Sequence, residues 1–384
     1  MSGWAFRRLA TAAAALLPSV ASALAAEPAP WPASFVGRLE ALALIENLNA
    51  DLLSHDSATL TLERWCADHR LADPARIVAE RVHDVDKAAT PEVRAALDVK
   101  ADEPLGYRRV RLKCGEHVLS DADNWYVPGR LTPEMNHVLE TTDTPFGKAV
   151  AALRFRRHTL SADLLWRPLP KGWEMNAAAG VLAAERAPWP DSFVGRLEAL
   201  ALIESLNADL LSHDSATLTL ERWCADHRLA EPARIVAERV RDTMKPASPE
   251  VRAALDVKLD EKLGYRRVRL KCGDHVLSEA DNWYVPARLT PDMNHALETT
   301  DTPFGKAVAA LHFRRHTLSA DLLWRPLRKG WEMGAATASD DKGALAIPAH
   351  VLEHRAVLST PDGEPFSEVV ETYTSEVLAF PPPR

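Results

Sequence analysis

In YRRVRLKC (residues 265–272) the alternation of an extended chain separates Tyr265, Arg267, Arg269 and Lys271 from Arg266, Val268, Leu270 and Cys272. The first set suits water. The second is a core face, which places the Arg266 guanidinium among apolar side chains. A charge there is costly unless a carboxylate or an anionic ligand meets it. Arg266 is therefore a candidate anchor for an acidic small molecule. A strand-end arginine reaching water, or one paired with a buried structural acid, fits the same pattern. In FSEVVETYT (366–374) one face carries Ser367, Val369, Glu371 and Tyr373. If that face points inward, burial favours the neutral form of Glu371, able to give a proton or a hydrogen bond. An exposed edge position fits Glu371 equally well. Arg355, in the run before it, is a second candidate cation.

Other combinations of reactive residues lead nowhere. Ser54-His55-Asp56 holds triad residue types, but three consecutive residues cannot form a triad and read as a loop before a helix. There is no glycine-rich phosphate loop and no His-Glu-x-x-His. His69, His117 and His158 lack metal-ligand spacing, and Trp65, Trp125 and Trp166 read as core packing. No metal and no cofactor are expected.

The elements that must position Arg266 and Glu371 are organised unusually. Residues 27–175 return as 185–333 at a constant offset of 158, with 18 differences in 149 positions. That is duplication of a whole domain rather than a short solenoid repeat. Arg108 is the first-copy counterpart of Arg266. The stretch EHRAVLSTPDGEPFSEVVETYTSEVL (353–378) has no counterpart, so Glu371 occurs once. The expected organisation is a leader over 1–25, a first repeat over 27–175 lacking its C-terminal hairpin, and a junction over 176–188. A second, complete repeat over 189–380 follows, including the unique hairpin 351–380. The first repeat should then expose an unpaired sheet edge, open to self-association.

Within a repeat, apolar residues at Phe35, Leu39, Leu42, Ile45, Leu48 and Leu52 follow the helical period. A second helix runs through Trp65 and Cys66, and TPEVRAAL is a short helix capped by Thr90 with Pro91 in its first turn. YRRVRLKCGEHVLSDADNWYVP reads as two strands about a tight turn. LTPEMNHVLE and TPFGKAVAAL are short helices, and FRRHTLSADLLW is a further strand. In the tail, HRAVLST and FSEVVETY flank Pro-Asp-Gly-Glu-Pro, a strong turn signal. Helices and strands are segregated, so the fold class is α+β with helices packed on an antiparallel sheet, in two tandem copies.

Composition narrows the function. The formal charge is −8 with no Lys/Arg block, which argues against a nucleic-acid surface. Arg7 and Arg8, a short Ala-rich apolar run and Ala23-Leu24-Ala25 form a cleavable export signal. The expected product is a periplasmic or secreted protein without stable membrane insertion. Cys66 and Cys114 recur as Cys224 and Cys272. In an oxidising compartment each pair suits a disulfide, although two buried thiols per repeat fit the spacing too.

The order of strand pair, TPFGKAV, strand and final HRAVL…DGEPFSEVVETY hairpin resembles the chorismate lyase family and the related ligand-sensing domain of GntR-type repressors. The resemblance covers 264–324 and 354–378. It implies an antiparallel sheet with helices closing over a buried small-molecule site, and no cofactor. The lyase arginine that holds a ligand carboxylate falls on Arg266. Its TPLG segment falls on TPFG, which makes Phe304 and Gly305 pocket residues. The acid of the last strand falls on Glu371, and the basic residue of the penultimate strand on Arg355. Where the lyase has a second arginine before VVP, this chain has Asn282, which can hydrogen-bond a carboxylate but carries no charge. The expected function is to act on, or simply bind, a small aromatic or enol-pyruvyl carboxylate, with Glu371 and Arg266 as the catalytic pair. Asn282, Phe304, Gly305 and Arg355 would complete the site, and Arg108 would mark an incomplete one.

Overall fold

The computed structural model describes residues 31–175, 188–241, 243–335 and 343–383. The expected leader and residues 176–187 of the junction lie outside the described residues. The first repeat opens with α1 (Phe35–Ser54), started by the Ser34 hydroxyl accepting the Gly37 N–H. It continues through α2 (Ala58–Asp68), β1 (Ile77–Arg81), α3 (Pro91–Ala96), β2 (Gly106–Cys114), β3 (His117–Tyr126), α4 (Pro133–Thr141) and α5 (Phe146–Ala149). Its three strands form an antiparallel sheet in the order β1-β2-β3. Cys66 and Cys114 are joined as a disulfide, tying α2 to β2.

The second repeat retraces this course as α6 (Phe193–Leu211), α7 (Ala216–Asp226), β4 (Ile235–Val240), α8 (Pro249–Ala254), β5 (Gly264–Cys272), β6 (His275–Tyr284), α9 (Pro291–Thr299) and α10 (Phe304–Ala307). A second disulfide joins Cys224 to Cys272. At the β5–β6 turn Gly273 has φ +57°, a left-handed conformation that favours glycine. Three further strands then build the sheet outward: β7 (Arg314–Leu322), β8 (His350–Ser359) and β9 (Pro365–Thr374). The six-stranded order is β4-β5-β6-β9-β8-β7, antiparallel throughout. The unique hairpin is therefore not an edge ornament. Its β9 is inserted between β6 and β8, and β7 joins the sheet only through β8.

This arrangement corrects one expectation. FRRHTLSADLLW was read as a strand in both copies, yet only 314–322 is one, while the identical residues 156–164 form no strand. The physical reason is the missing partner. Extended backbone needs a neighbour for its N–H and C=O groups, and the first repeat has no equivalent of β8.

The repeats meet along α1 and α6. Leu39, Leu42 and Ala43 pack against Leu197, Leu200 and Ala201. A polar chain crosses the same contact: Asn47 donates to Glu204 at 2.8 Å, Asn207 donates to Glu204 at 3.2 Å, and Asn207 Oδ1 meets His354 Nε2 at 2.8 Å. The main core lies between α6, α7 and the inner face of the six-stranded sheet, and the tail closes it with Val377, Leu378 and Phe380. Among the described residues no helix is long and apolar enough to cross a membrane.

Two outcomes test this architecture. A chain ending at 345 should lose the cover over Trp189 and Trp223, shifting tryptophan emission to the red; unchanged emission would contradict the closing role of the tail. Burial pushes the Glu198 carboxyl up to about 7. Between its ordinary value near 4.5 and about 7 the folded state binds more protons than the unfolded chain, so stability falls as pH rises through that window. Glu198→Gln should remove about 1–3 kcal/mol of that fall. Denaturation at pH 5 and pH 8 checks it, and parallel curves for both proteins would refute it.

Candidate functional site

On the inner face of the six-stranded sheet, register decides which side chains meet. Arg266 pairs with Asn282, Asn282 with Val369, and Val369 with Ala356; one row further, Ala280 pairs with Glu371 and Glu371 with His354. Paired residues share a face, so Arg266, Asn282 and Glu371 lie under one roof. That roof is the segment from α9 into α10. The resulting cavity is lined by Arg266, Asn282, Phe304, Gly305, Arg315 and Glu371, with apolar walls from Val268, Phe313, Leu358 and Val369. It encloses about 50 Å³, room for a water molecule or two.

Arg266 is 2% exposed and, among the described residues, forms no ion pair with a carboxylate. Its guanidinium donates to the backbone oxygens of Thr302 (2.7 Å) and Thr300 (3.0 Å), while its buried Nε has no partner. Both acceptors belong to the loop leading into α10, so Arg266 latches the roof to the sheet. Burial, with Arg239 nearby, lowers its pKa from the usual arginine value. Its hydrogen bonds are thus met by neutral carbonyl dipoles, and the Asp301 carboxylate, between the two acceptor residues, offsets part of the charge without forming an ion pair. Asn282 is buried and accepts a hydrogen bond from the Ser367 hydroxyl at 2.9 Å.

Glu371 is also buried, but it is not a lone acid. Arg315 Nη2 donates to its Oε2 at 2.6 Å, and the Tyr373 hydroxyl donates to the same oxygen at 3.2 Å. Glu371 Oε2 thus accepts hydrogen bonds from both a guanidinium and a phenol. Burial, with the Glu371 charge beside it, holds the Tyr373 hydroxyl well above its ordinary pKa. Burial and the Arg315 cation hold His354 well below its own. His354 is a neutral imidazole bonded to Asn207.

Arg355 is not in this site. The residue opposite Glu371 is His354, so Arg355, one position on, points to the other face. There its Nε meets the fully buried Glu368 at 2.5 Å. The inward cation is Arg315, which the sequence reading passed over. Alternation gives no signal for it: the face of Arg315 also carries Thr317, Ser319 and Asp321 and reads as solvated. Asp214, in the loop before α7, also lines the cavity and accepts the Arg315 backbone N–H at 3.1 Å.

The first repeat reproduces half of this geometry. Arg108 is 2% exposed and donates to Thr144 O (2.7 Å) and Thr142 O (2.8 Å), the same latch as Arg266. Arg157, the counterpart of Arg315, donates instead to Leu52 O at 2.9 Å. No strand stands in for β9, and no acid stands in for Glu371. Among the described residues no group of three or more His, Cys, Asp or Glu is placed to hold a metal.

Comparison with known proteins places the chain. The uncharacterized protein y4mC of Sinorhizobium fredii (strain NBRC 101917 / NGR234) is 55% identical over 196 residues, 51% of this chain and 83% of y4mC. The chain belongs to the y4mC family. At about 236 residues, y4mC is too short to hold two copies of a 149-residue unit, so the duplication is not general to the family. No protein-family model matches the chain. Solved structures similar to it include YydK of Bacillus subtilis, at TM-score 0.24 and 13% identity over 37% of this chain and 59% of that one. Others are the effector domain of PhnF from Mycobacterium smegmatis (0.29, 12%, 42% and 90%) and a GntR-family transcriptional regulator from Enterococcus faecalis V583 (0.24, 12%, 36% and 91%).

The Arg315–Glu371 pair yields a stability test. Glu371→Gln leaves a buried guanidinium without its counter-charge and should cost about 3–5 kcal/mol, whereas Arg315→Met with Glu371→Leu should cost much less. Chemical denaturation of the single and double variants measures both. A single variant as stable as the parent would show that the pair is not the internal charge balance of this core.

Proposed function

We propose that the second repeat is a binding site for a small carboxylate with an apolar or aromatic body, and that the protein works as a ligand-binding module. The observation that carries this reading is Arg266, buried in a largely apolar cavity with Nε unpartnered, backbone carbonyls as its acceptors and no ion pair among the described residues. A carboxylate is the group that best satisfies a buried guanidinium. Asn282 lies beside it to orient the ligand. Glu371, already balanced by Arg315, would accept a hydrogen bond from a hydroxyl or amino group at the ligand's far end. The likeness in fold to effector domains agrees with binding.

The cavity as it stands is closed to a ligand of that size. The roof is held down by the hydrogen bonds from Arg266 to Thr300 and Thr302. A carboxylate arriving at Arg266 competes with those carbonyls, so ligand entry and movement of the α9–α10 roof are linked. Lyase chemistry with Glu371 as the acid is the alternative reading of the same cavity. We further propose that the protein is exported. The leader-like N-terminus motivates this, and the disulfides Cys66–Cys114 and Cys224–Cys272 fit an oxidising compartment.

A thermal-shift screen of small aromatic and enol-pyruvyl carboxylates, followed by mass analysis of the recovered ligand, tests the proposal. A carboxylate should stabilise the protein and come back unchanged. Arg266→Ala should abolish the shift, while Arg108→Ala should leave it intact. Loss of the shift in both variants, or stabilisation by uncharged analogues alone, would overturn the reading; pyruvate release from an enol-pyruvyl ether would replace binding with lyase chemistry.

A further inference from the structure

The tail of the second repeat does more than complete the site. Beyond β9 a 3-10 turn (Ser375–Leu378) and Phe380 lie over Trp189 and Trp223, whose indole N–H groups donate to the backbone oxygens of Leu378 (3.2 Å) and Val377 (2.9 Å). In the first repeat no described residue covers the corresponding surface as the tail does in the second. Trp31 is 58% exposed where Trp189 is 5% exposed, and with Leu44, Ile45, Leu48, Trp65 and Trp166 it lines an open apolar groove of about 330 Å³.

Beside this groove lies the free edge of β3. Among the described residues β3 pairs only with β2, whereas β6 offers Ser278–Tyr284 to Tyr373–Ser367 of β9. The corresponding residues 120–126 are identical to 278–284 apart from Asp121 in place of Glu279. The groove tryptophans, Leu44, Ile45 and Leu48 likewise match Leu202, Ile203 and Leu206. Under the edge, Arg108 keeps a buried Nε without a partner and has no counterpart of Glu371 nearby. Hydrogen-bonding edge, apolar seat and positive charge are thus all presented in the arrangement that a hairpin of known sequence already fills elsewhere in this chain.

We propose that the first repeat is a receptor for the C-terminal hairpin of a second copy of this chain. The incoming β9 would add to β3 as it adds to β6, its Glu371 would enter beside Arg108 and Arg157, and Val377, Leu378 and Phe380 would occupy the Trp31–Trp65 groove. A donor surrenders the same contacts in its own second repeat, so exchange between intact chains is head-to-tail and driven by concentration. A free hairpin meets no such opposition. The inference is independent of the ligand proposed above.

The test uses the full chain and a fluorescent peptide comprising residues 346–383, with anisotropy and native mass spectrometry as readouts. One peptide should bind per chain, saturably, and Trp31→Asp should weaken it by tenfold or more. Trp31 is exposed, so that variant should still fold, which circular dichroism checks. Absence of binding would overturn the proposal. So would binding that Trp31→Asp leaves unchanged, since the peptide would then be replacing the resident hairpin in the second repeat.

Discussion

The structure depends on the insertion of β9 between β6 and β8. An extended strand is stable only where its backbone groups find partners, and this one insertion supplies partners on both sides. It recruits β8, and through β8 it makes a strand of Arg314–Leu322. It brings Glu371 onto the same face as Arg266 and Asn282. It also delivers the tail that buries Trp189 and Trp223. The first repeat, nearly identical in sequence, shows the same unit without it: three strands, an irregular 156–164, and an exposed Trp31.

Charge is distributed across the inner face with an asymmetry that gives the site its character. Arg315 and Glu371 neutralise each other, and Tyr373 adds a second hydrogen bond to the carboxylate. Arg266 has only carbonyl oxygens. The face therefore carries a buried guanidinium with no ion-pair partner among the described residues, its charge offset only in part by Asp301. Because the acceptors of Arg266 belong to the roof, the group that would hold a ligand is the group that keeps the cavity shut. The polar chain from Asn47 through Glu204 and Asn207 to His354 ties this face to α1 of the other repeat.

Much of this was legible in the sequence, for identifiable reasons. Duplication at a fixed offset needs no structural knowledge. Period-two alternation places Arg266 inward because the rest of its face, Val268, Leu270 and Cys272, is apolar, whereas for Glu371 it leaves an inward face and an exposed edge equally open. Alternation gives no preference between the adjacent polar residues His354 and Arg355 in the middle of β8, where register puts the imidazole inside. Alternation does not single out Arg315, because its face of the strand also carries Thr317, Ser319 and Asp321 and reads as solvated. The fate of 156–164 was not readable locally at all, since the same nine residues form a strand or not according to a partner more than thirty residues away in one copy and missing from the other. The disulfides were an open choice by spacing alone, and the placement of α2 on β2 and of α7 on β5 decided it.

Those identical residues offer the most direct measurement. Hydrogen exchange with mass spectrometry can follow peptides covering 153–166 and 311–324, distinguished by Arg154 in one and His312 in the other. If the hairpin makes the second repeat what it is, amides of 314–322 are protected while those of 156–164 exchange freely. Equal protection of the two segments would mean that the strand forms without β8, and the account of how the hairpin builds the site would be wrong.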